Sequence, residues 1–137
     1  MNKQVKRKGG EVVSRGIEWC DWSWNPVGGC EHDCKWQMPD GQIAECYAKT
    51  VAEGVARHAY PHGFEYHYFH PKKLSEPLLV KEPAKIFLDS MSDLMGAWVS
   101  DNEIQSVLEV CNDAHWHTFQ LLTKNAPRLT SFTFPAN

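Results

Sequence analysis

The 137-residue sequence contains no run near the ~18 consecutive apolar residues that a membrane-spanning helix requires. Its basic opening, MNKQVKRKGG, lacks the apolar stretch that would make it a secretory signal. Internal repeats and low-complexity tracts are also missing, which sets aside repeat architectures. Neither sign of charge dominates: a formal net charge of −3 gives no electrostatic support for nucleic-acid binding. The cysteine count, five, is odd, and without a secretory signal that argues against a disulfide framework and favours metal binding or catalysis. What is present is 42% apolar residues, enough for the core of one soluble domain, and nothing directs the chain out of the cytoplasm or onto a membrane.

Lys3, Lys6, Arg7 and Lys8 beside two glycines read as a solvated, disordered basic arm covering residues 1–15, rather than as a phosphate site. Residues 16–137 then alternate strand and helix signals. GIEW, Gly16 to Trp19, predicts a first strand, followed by a Trp-, Asn-, Pro- and Gly-rich loop from Asp21 to Gly29. Ala44, Ala48, Val51 and Val55 step as one helical stripe ending near His58, with Cys46 in the first turn. HAYPHGFEYHYFHPKKL, His58 to Leu74, predicts a long ordered aromatic loop, and SEPLLV a short helix.

AKIFLDSMSD, Ala84 to Asp93, and HTFQLLTKN, His117 to Asn125, carry the signature of strands buried on both faces. Between them Ser100 and Glu103 form a capping box ahead of the stripe Ile104, Val107, Leu108 and Cys111, and APRLTSF predicts a last short helix. Three β/α units in this order imply parallel strands, with functional groups at their carboxyl ends. A closed β/α barrel needs ~250 residues, so three units predict a partial barrel. The sequence stops at FPAN where another strand would be due, so we expect part of a longer protein or one half of an assembly, with an exposed strand edge.

Cys30 and Cys34 are spaced Cys-x3-Cys, and a helix start delivers Cys46. Three thiolates suit a soft metal centre. A structural zinc would need a fourth donor, such as His32, Cys20 or a residue of the His-rich loop. A [4Fe–4S] cluster held by three thiolates keeps one iron open for a ligand. The helix start would also face its positive end toward an anionic cluster.

This arrangement resembles radical S-adenosylmethionine enzymes, which carry Cys-x3-Cys-x2-Cys in the loop after the first barrel strand. CEHDC is intact here, but the 11 residues KWQMPDGQIAE, a nine-residue excess around Pro39-Asp40-Gly41, separate Cys34 from Cys46. The stretches IEWCDWSWNPVGGC, CYAKTVAE, IFLDSMSDLM and HTFQLLTKNAPRL, in that order, resemble phage- and bacteria-encoded radical-SAM-like proteins of unknown function, similar in sequence style to spore photoproduct lyase.

The resemblance implies a partial barrel over residues 16–137 in which Cys30, Cys34 and Cys46 hold a [4Fe–4S] cluster. S-adenosylmethionine would bind its open iron and be cleaved to a 5′-deoxyadenosyl radical, with a reductant protein as electron donor. By analogy with photoproduct lyase, the substrate would be nucleic acid or a nucleotide. Ser90, Ser92 and Asp93 are placed to meet the methionine end or ribose of that cofactor. Thr123 and Lys124 are placed to meet a carboxylate or phosphate, and Tyr47 the cluster or adenine. The alternative function is a zinc-binding structural or interaction module without catalysis.

Several residues carry simpler explanations. Cys20 and Cys111 read as small buried hydrophobes. His58, His62, His67 and His70 read as members of a packed aromatic loop, and Trp19, Trp22, Trp24 and Trp36 as walls of the site or core. Asp93 can cap the next turn, and Lys124 can be a solvated surface residue.

Overall fold

Three short strands occupy the N-terminal segment: β1 (Asn2–Lys3), β2 (Val5–Lys8) and β3 (Glu11–Arg15), with β2 and β3 paired as an antiparallel hairpin. Next come β4 (Trp22–Trp24), β5 (Val27–Gly28), β6 (Lys35–Gln37), β7 (Ile43–Glu45), helix α1 (Tyr47–Glu53) and β8 (Tyr68–Phe69). The chain continues through α2 (Glu76–Leu79), β9 (Lys85–Leu88), α3 (Asp101–Asp113) and β10 (Thr118–Leu121), and a 3-10 segment runs over Ala126–Ser131. The computed structural model describes the backbone of residues 1–137 and the side chains of all but 5–8 and 13–15. Lys6, Arg7 and Lys8 of the expected basic arm therefore lie outside the described side chains.

The main sheet has the order β1-β4-β9-β10. β9 pairs in parallel with β4 on one side (Trp22↔Ile86, Trp24↔Leu88) and with β10 on the other (Phe119↔Ile86, Leu121↔Leu88), while β1 joins β4 antiparallel. The architecture is mixed α/β with open sheets, and among the described residues no strand closes the main sheet into a barrel. Among the same residues no helix is long and apolar enough to cross a membrane.

Alternation along β9 sorts its side chains by face. Ile86 and Leu88 are buried beside Trp24, against the α3 stripe of Ile104, Val107, Leu108 and Cys111, as the helical spacing predicts. Phe87 is half-buried and meets Trp19, ring centroids 4.6 Å apart, so β9 is not buried on both faces as its unbroken apolar run suggests. That second face opens onto the cavity described below.

The predicted capping box is present: the Glu103 N–H donates to Ser100 Oγ (3.3 Å) and the Ser100 N–H to Glu103 Oε2 (2.9 Å). Glu103 also meets His67 Nε2 at 3.0 Å, tying the aromatic loop to α3. That loop is packed through its rings, with Tyr60 edge-on to Phe64 and Tyr68, and Tyr66 edge-on to Tyr68. β8 within it pairs with β5, and Trp24 Nε1 donates to Lys73 O across it at 2.8 Å. His117, which the sequence left unremarked, is buried and saturated: its Nδ1 accepts from Ala84 N and its Nε2–H donates to Pro77 O, which fixes the neutral tautomer.

Two boundaries differ from expectation. The first parallel strand is Trp22–Trp24, not Gly16–Trp19. Asp21 anchors it, donating its N–H to Lys85 O and accepting the Lys85 N–H on its carboxylate. The Asn, Pro and Gly residues that follow hid a strand of three residues. α1 begins at Tyr47 rather than Ala44, because Ala44 lies in β7, and it ends at Gly54. Its buried residues are Ala48 and Ala52, and Val55 of the expected stripe is 86% exposed. Cys20 and Cys111 are buried as expected, and burial pushes the Cys111 thiol up to about 12.

Ser100→Ala should remove the α3 cap and lower stability by ~1 kcal/mol. Ile104→Ala should cost ~2–5 kcal/mol through the cavity it leaves. Urea unfolding of both variants would rank them, and equal losses would contradict the placement of α3 on the core.

Candidate functional site

The long spacing between Cys34 and Cys46 is absorbed by a hairpin. β6 and β7 pair antiparallel, Lys35 opposite Glu45, Trp36 opposite Ala44 and Gln37 opposite Ile43. Its turn is held by the Met38 N–H donating to Gln42 O (2.7 Å), the Gly41 N–H to Met38 O (2.9 Å) and the Gln42 N–H to Asp40 Oδ1 (3.0 Å). Gly41 takes the left-handed conformation, φ +85°, that such a turn demands. Cys34 and Cys46 stand immediately outside the Lys35–Glu45 rung. The extra residues thus fold back on themselves, so that Cys34 and Cys46 flank the two ends of one rung.

Cys30 arrives from β5 through Gly29, whose φ is +84° and where a Cβ would stand 1.9 Å from Tyr66 O. Only glycine fits there. The Cys30 N–H donates to Phe64 O (2.8 Å), the Gly29 N–H to Met91 O (3.1 Å), and Ser92 Oγ to Gly29 O (2.6 Å). The cysteine loop is thereby stitched to the aromatic loop and to the segment after β9. Cys46 is the N-cap of α1, one position before the first turn in which the spacing put it. Thr50 N–H closes the helix onto its carbonyl.

All three cysteines line one cavity of about 570 Å³ at the carboxyl ends of β9 and β10, and all three also line a small crevice with Asp33, Lys49, Phe64 and Glu65. Burial pushes the Cys30 thiol up to about 11, and the neighbouring Cys34, Cys46 and Asp93 push in the same direction against a backbone hydrogen bond at His32. The thiols are thus close enough to feel one another's charge. Among the described residues, however, no group of three or more His, Cys, Asp or Glu side chains stands ready to hold a metal ion. The cysteines share a wall rather than a single coordination point.

Tyr47, Ser90, Ser92, Asp93, Thr123 and Lys124 line the same cavity. Most of their polar atoms hold the site together. Ser90 Oγ donates to Asn25 Oδ1 at 3.0 Å, and Thr123 Oγ1 accepts the Asn125 N–H at 2.9 Å. Asp93 is buried. Its Oδ1 accepts the Met95 N–H (3.0 Å), the local cap that its position suggested, and its Oδ2 meets His32 Nε2 (2.9 Å) and accepts the Lys124 N–H (2.8 Å). One carboxylate therefore joins the cysteine loop, the end of β9 and the end of β10. Tyr47 is 60% exposed at the rim, and Lys124 is exposed.

His32 earned notice in the sequence only as a fourth zinc donor, yet it lines the cavity with its ring 4.9 Å from Trp98, edge-on. Trp19, Trp36, Phe87 and Leu122 complete much of the apolar wall. Alternation along β9 would have singled out Phe87 once Ile86 and Leu88 were assigned to the core.

Asp89 was missed entirely. It is buried at φ +55°, its N–H donates to Trp24 O, and its Oδ1 accepts the Val27 N–H at 3.1 Å, while Oδ2 has no hydrogen-bond partner among the described residues. Burial raises its carboxyl well above the usual range and the charge of Asp93 adds to this, against the opposing pull of the Val27 N–H and Lys73. The folded state thus favours the protonated acid. Its contribution is complete at pH values below the ordinary carboxylate range and is lost as pH rises toward the raised value. Asp89→Asn should flatten that loss and raise the melting temperature at pH 7–8, since asparagine stays neutral and tolerates the left-handed backbone. A variant that melts lower than the parent at pH 8 would contradict a neutral Asp89.

A mixed α/β protein with an open, centrally parallel sheet and a thiol-lined cavity at its strand ends is the class these features define. Residues 14–136 match the family described as proteins of unknown function, DUF5131, and the chain belongs to that family. No curated protein and no solved structure matches it.

Proposed function

We propose that this chain is a radical S-adenosylmethionine-type module in which Cys30, Cys34 and Cys46 hold a [4Fe–4S] cluster. The observation that carries this is the lining of a single large cavity by three thiols, one from the loop after β5, one from the foot of the β6–β7 hairpin and one from the cap of α1. Thiolates select soft metal centres, and three of them leave an iron open to a further ligand. On this reading β4, β9 and β10 are strands of a partial β/α barrel of radical-SAM type. When bound, the cluster supplies the electron that cleaves the sulfonium of S-adenosylmethionine.

The chain's own residues perform the supporting tasks. Phe64, Phe87, Trp19 and Trp36 give the cavity an apolar wall beside the thiols. Asp93 fixes His32 and the Lys124 backbone, and Lys124 lines the cavity, where its amine would meet a carboxylate or phosphate. Tyr47 offers a ring at the rim. We assign the protein to the cytoplasm, with a reductant protein as electron source and nucleic acid or a nucleotide as the substrate class.

A second reading has its own support. His32 lines the cavity beside the cysteines and leans on Asp93, the carboxylate–histidine pairing that orients imidazole ligands of zinc. Zinc held by Cys30, Cys34, Cys46 and His32 would make a structural module. A closed zinc site, however, has no use for a cavity of about 570 Å³.

Anaerobic reconstitution with iron and sulfide should yield a brown protein carrying iron and acid-labile sulfide in equal amounts. Cys30→Ala, Cys34→Ala and Cys46→Ala should each lose the colour and Cys20→Ala should keep it. Stoichiometric zinc uptake with no labile sulfide would replace this reading with the structural module.

A further inference from the structure

The hairpin that brings Cys34 beside Cys46 builds a thiol pair with a chemistry of its own. Their neighbours, Lys35 and Glu45, are direct partners in the last rung of the ladder, so the two cysteines flank an antiparallel pair of the kind whose opposed Cα atoms lie ~4.5–5.5 Å apart. A disulfide requires Cα separations of ~4.4–6.8 Å, a range within reach of residues that flank such a rung. Cys30 belongs to a different frame. Its backbone is fixed by the Phe64 carbonyl, and the preceding Gly29 is pinned to Met91 and Ser92. All five cysteines are free thiols.

Side-chain contacts around the pair reinforce the register. Asp33, next to Cys34, meets Lys35 at 2.9 Å and Lys49 at 3.3 Å, and Lys49, one turn along the helix that Cys46 caps, also meets Glu65 at 3.3 Å. These exposed pairs draw the approach to Cys34 toward the start of α1 from outside the ladder. Cys34 and Cys46 are each partly exposed, so a small oxidant can reach them.

We propose that in the metal-free protein Cys34 and Cys46 are a site of reversible oxidation, closing as a disulfide across the foot of the hairpin and leaving Cys30 free. The oxidant is a small-molecule disulfide such as oxidised glutathione. One protein thiolate attacks it, forming a mixed disulfide and releasing one reduced thiol. The second protein thiolate then displaces the other, so that two protein thiols are oxidised to one disulfide and one glutathione disulfide is reduced to two thiols. The oxidised pair has no thiolate to give to a metal, so metal loading and this bond exclude one another. The inference rests on the hairpin register alone and holds whether the metal is a cluster or zinc.

The test uses the full chain, stripped of metal, fully reduced, then equilibrated in glutathione buffers of rising oxidised fraction and trapped by alkylation. Cleavage before Asp21 separates Cys20 from Cys30, cleavage after Glu31 separates Cys30 from Cys34, and cleavage after Lys35 separates Cys34 from Cys46, so peptide mapping assigns the partners. The expected result is loss of two of the five free thiols, with Cys34 linked to Cys46 and Cys30 alkylated. Cys30→Ser should still form the link, Cys46→Ser should not, and prior loading with zinc should block it. Linkage of Cys30 to either partner, persistent mixed glutathione adducts, or five free thiols in the most oxidising buffer would each overturn the proposal. Reconstitution of the reduced chain reports separately on the metal, so the two readings can fail independently.

Discussion

The pairing of β9 with β4 on one side and β10 on the other sets the edge on which the cavity is built. Because both pairings are parallel, the three strands end on one edge, and the segments that follow them turn into the same space. Asn25, Ser90 and Thr123 all come from those turns. The strands are short, three or four residues each, so ladder hydrogen bonds alone could not fix the edge. The core beneath does so: Trp24, Ile86 and Leu88 bury against α3, whose own direction is set by its capping box. Burial on one face and an open cavity on the other follow from the same alternation along β9.

Above that edge a buried carboxylate joins what the strands bring near. Asp93 accepts from Met95, meets His32 and accepts from the backbone of Lys124, so its two oxygens hold three chain segments. Desolvating a carboxylate is costly unless its lone pairs are engaged, and here they are. Asp89, four residues earlier, is the contrasting case: one oxygen bonded, one without a partner among the described residues, and a carboxyl that burial pushes well above its usual range. Two acids at the end of one strand thus reach opposite solutions to the same loss of water.

The α/β class was legible from order alone, since apolar runs at Ala84–Asp93 and His117–Asn125 bracket the α3 stripe, and the structure pairs their strands in parallel. The edge location of Ser90, Asp93 and Lys124 followed from that class. Tight-turn residues hid what lay next to them. Trp22–Trp24 disappeared among Asn25, Pro26 and two glycines, and the hairpin at 35–45 was visible only as a turn at Pro39-Asp40-Gly41. Asp89 left no mark because an acid after an apolar run looks like a strand end. Its burial depends on Trp24 and Val27, more than sixty residues away.

The β6–β7 hairpin carries a lesson about spacing in thiol motifs. Two positions held together by the first rung of a ladder are indifferent to how many rungs lie beyond it. Such a loop can lengthen or shorten by pairs of residues while the sulfurs at its base stay put, exposing new side chains such as Met38 and Ile43 at the tip without disturbing the base. Pattern searches that demand a fixed interval between ligands will pass over chains built this way. Counting should instead start from where the backbone crosses its own path.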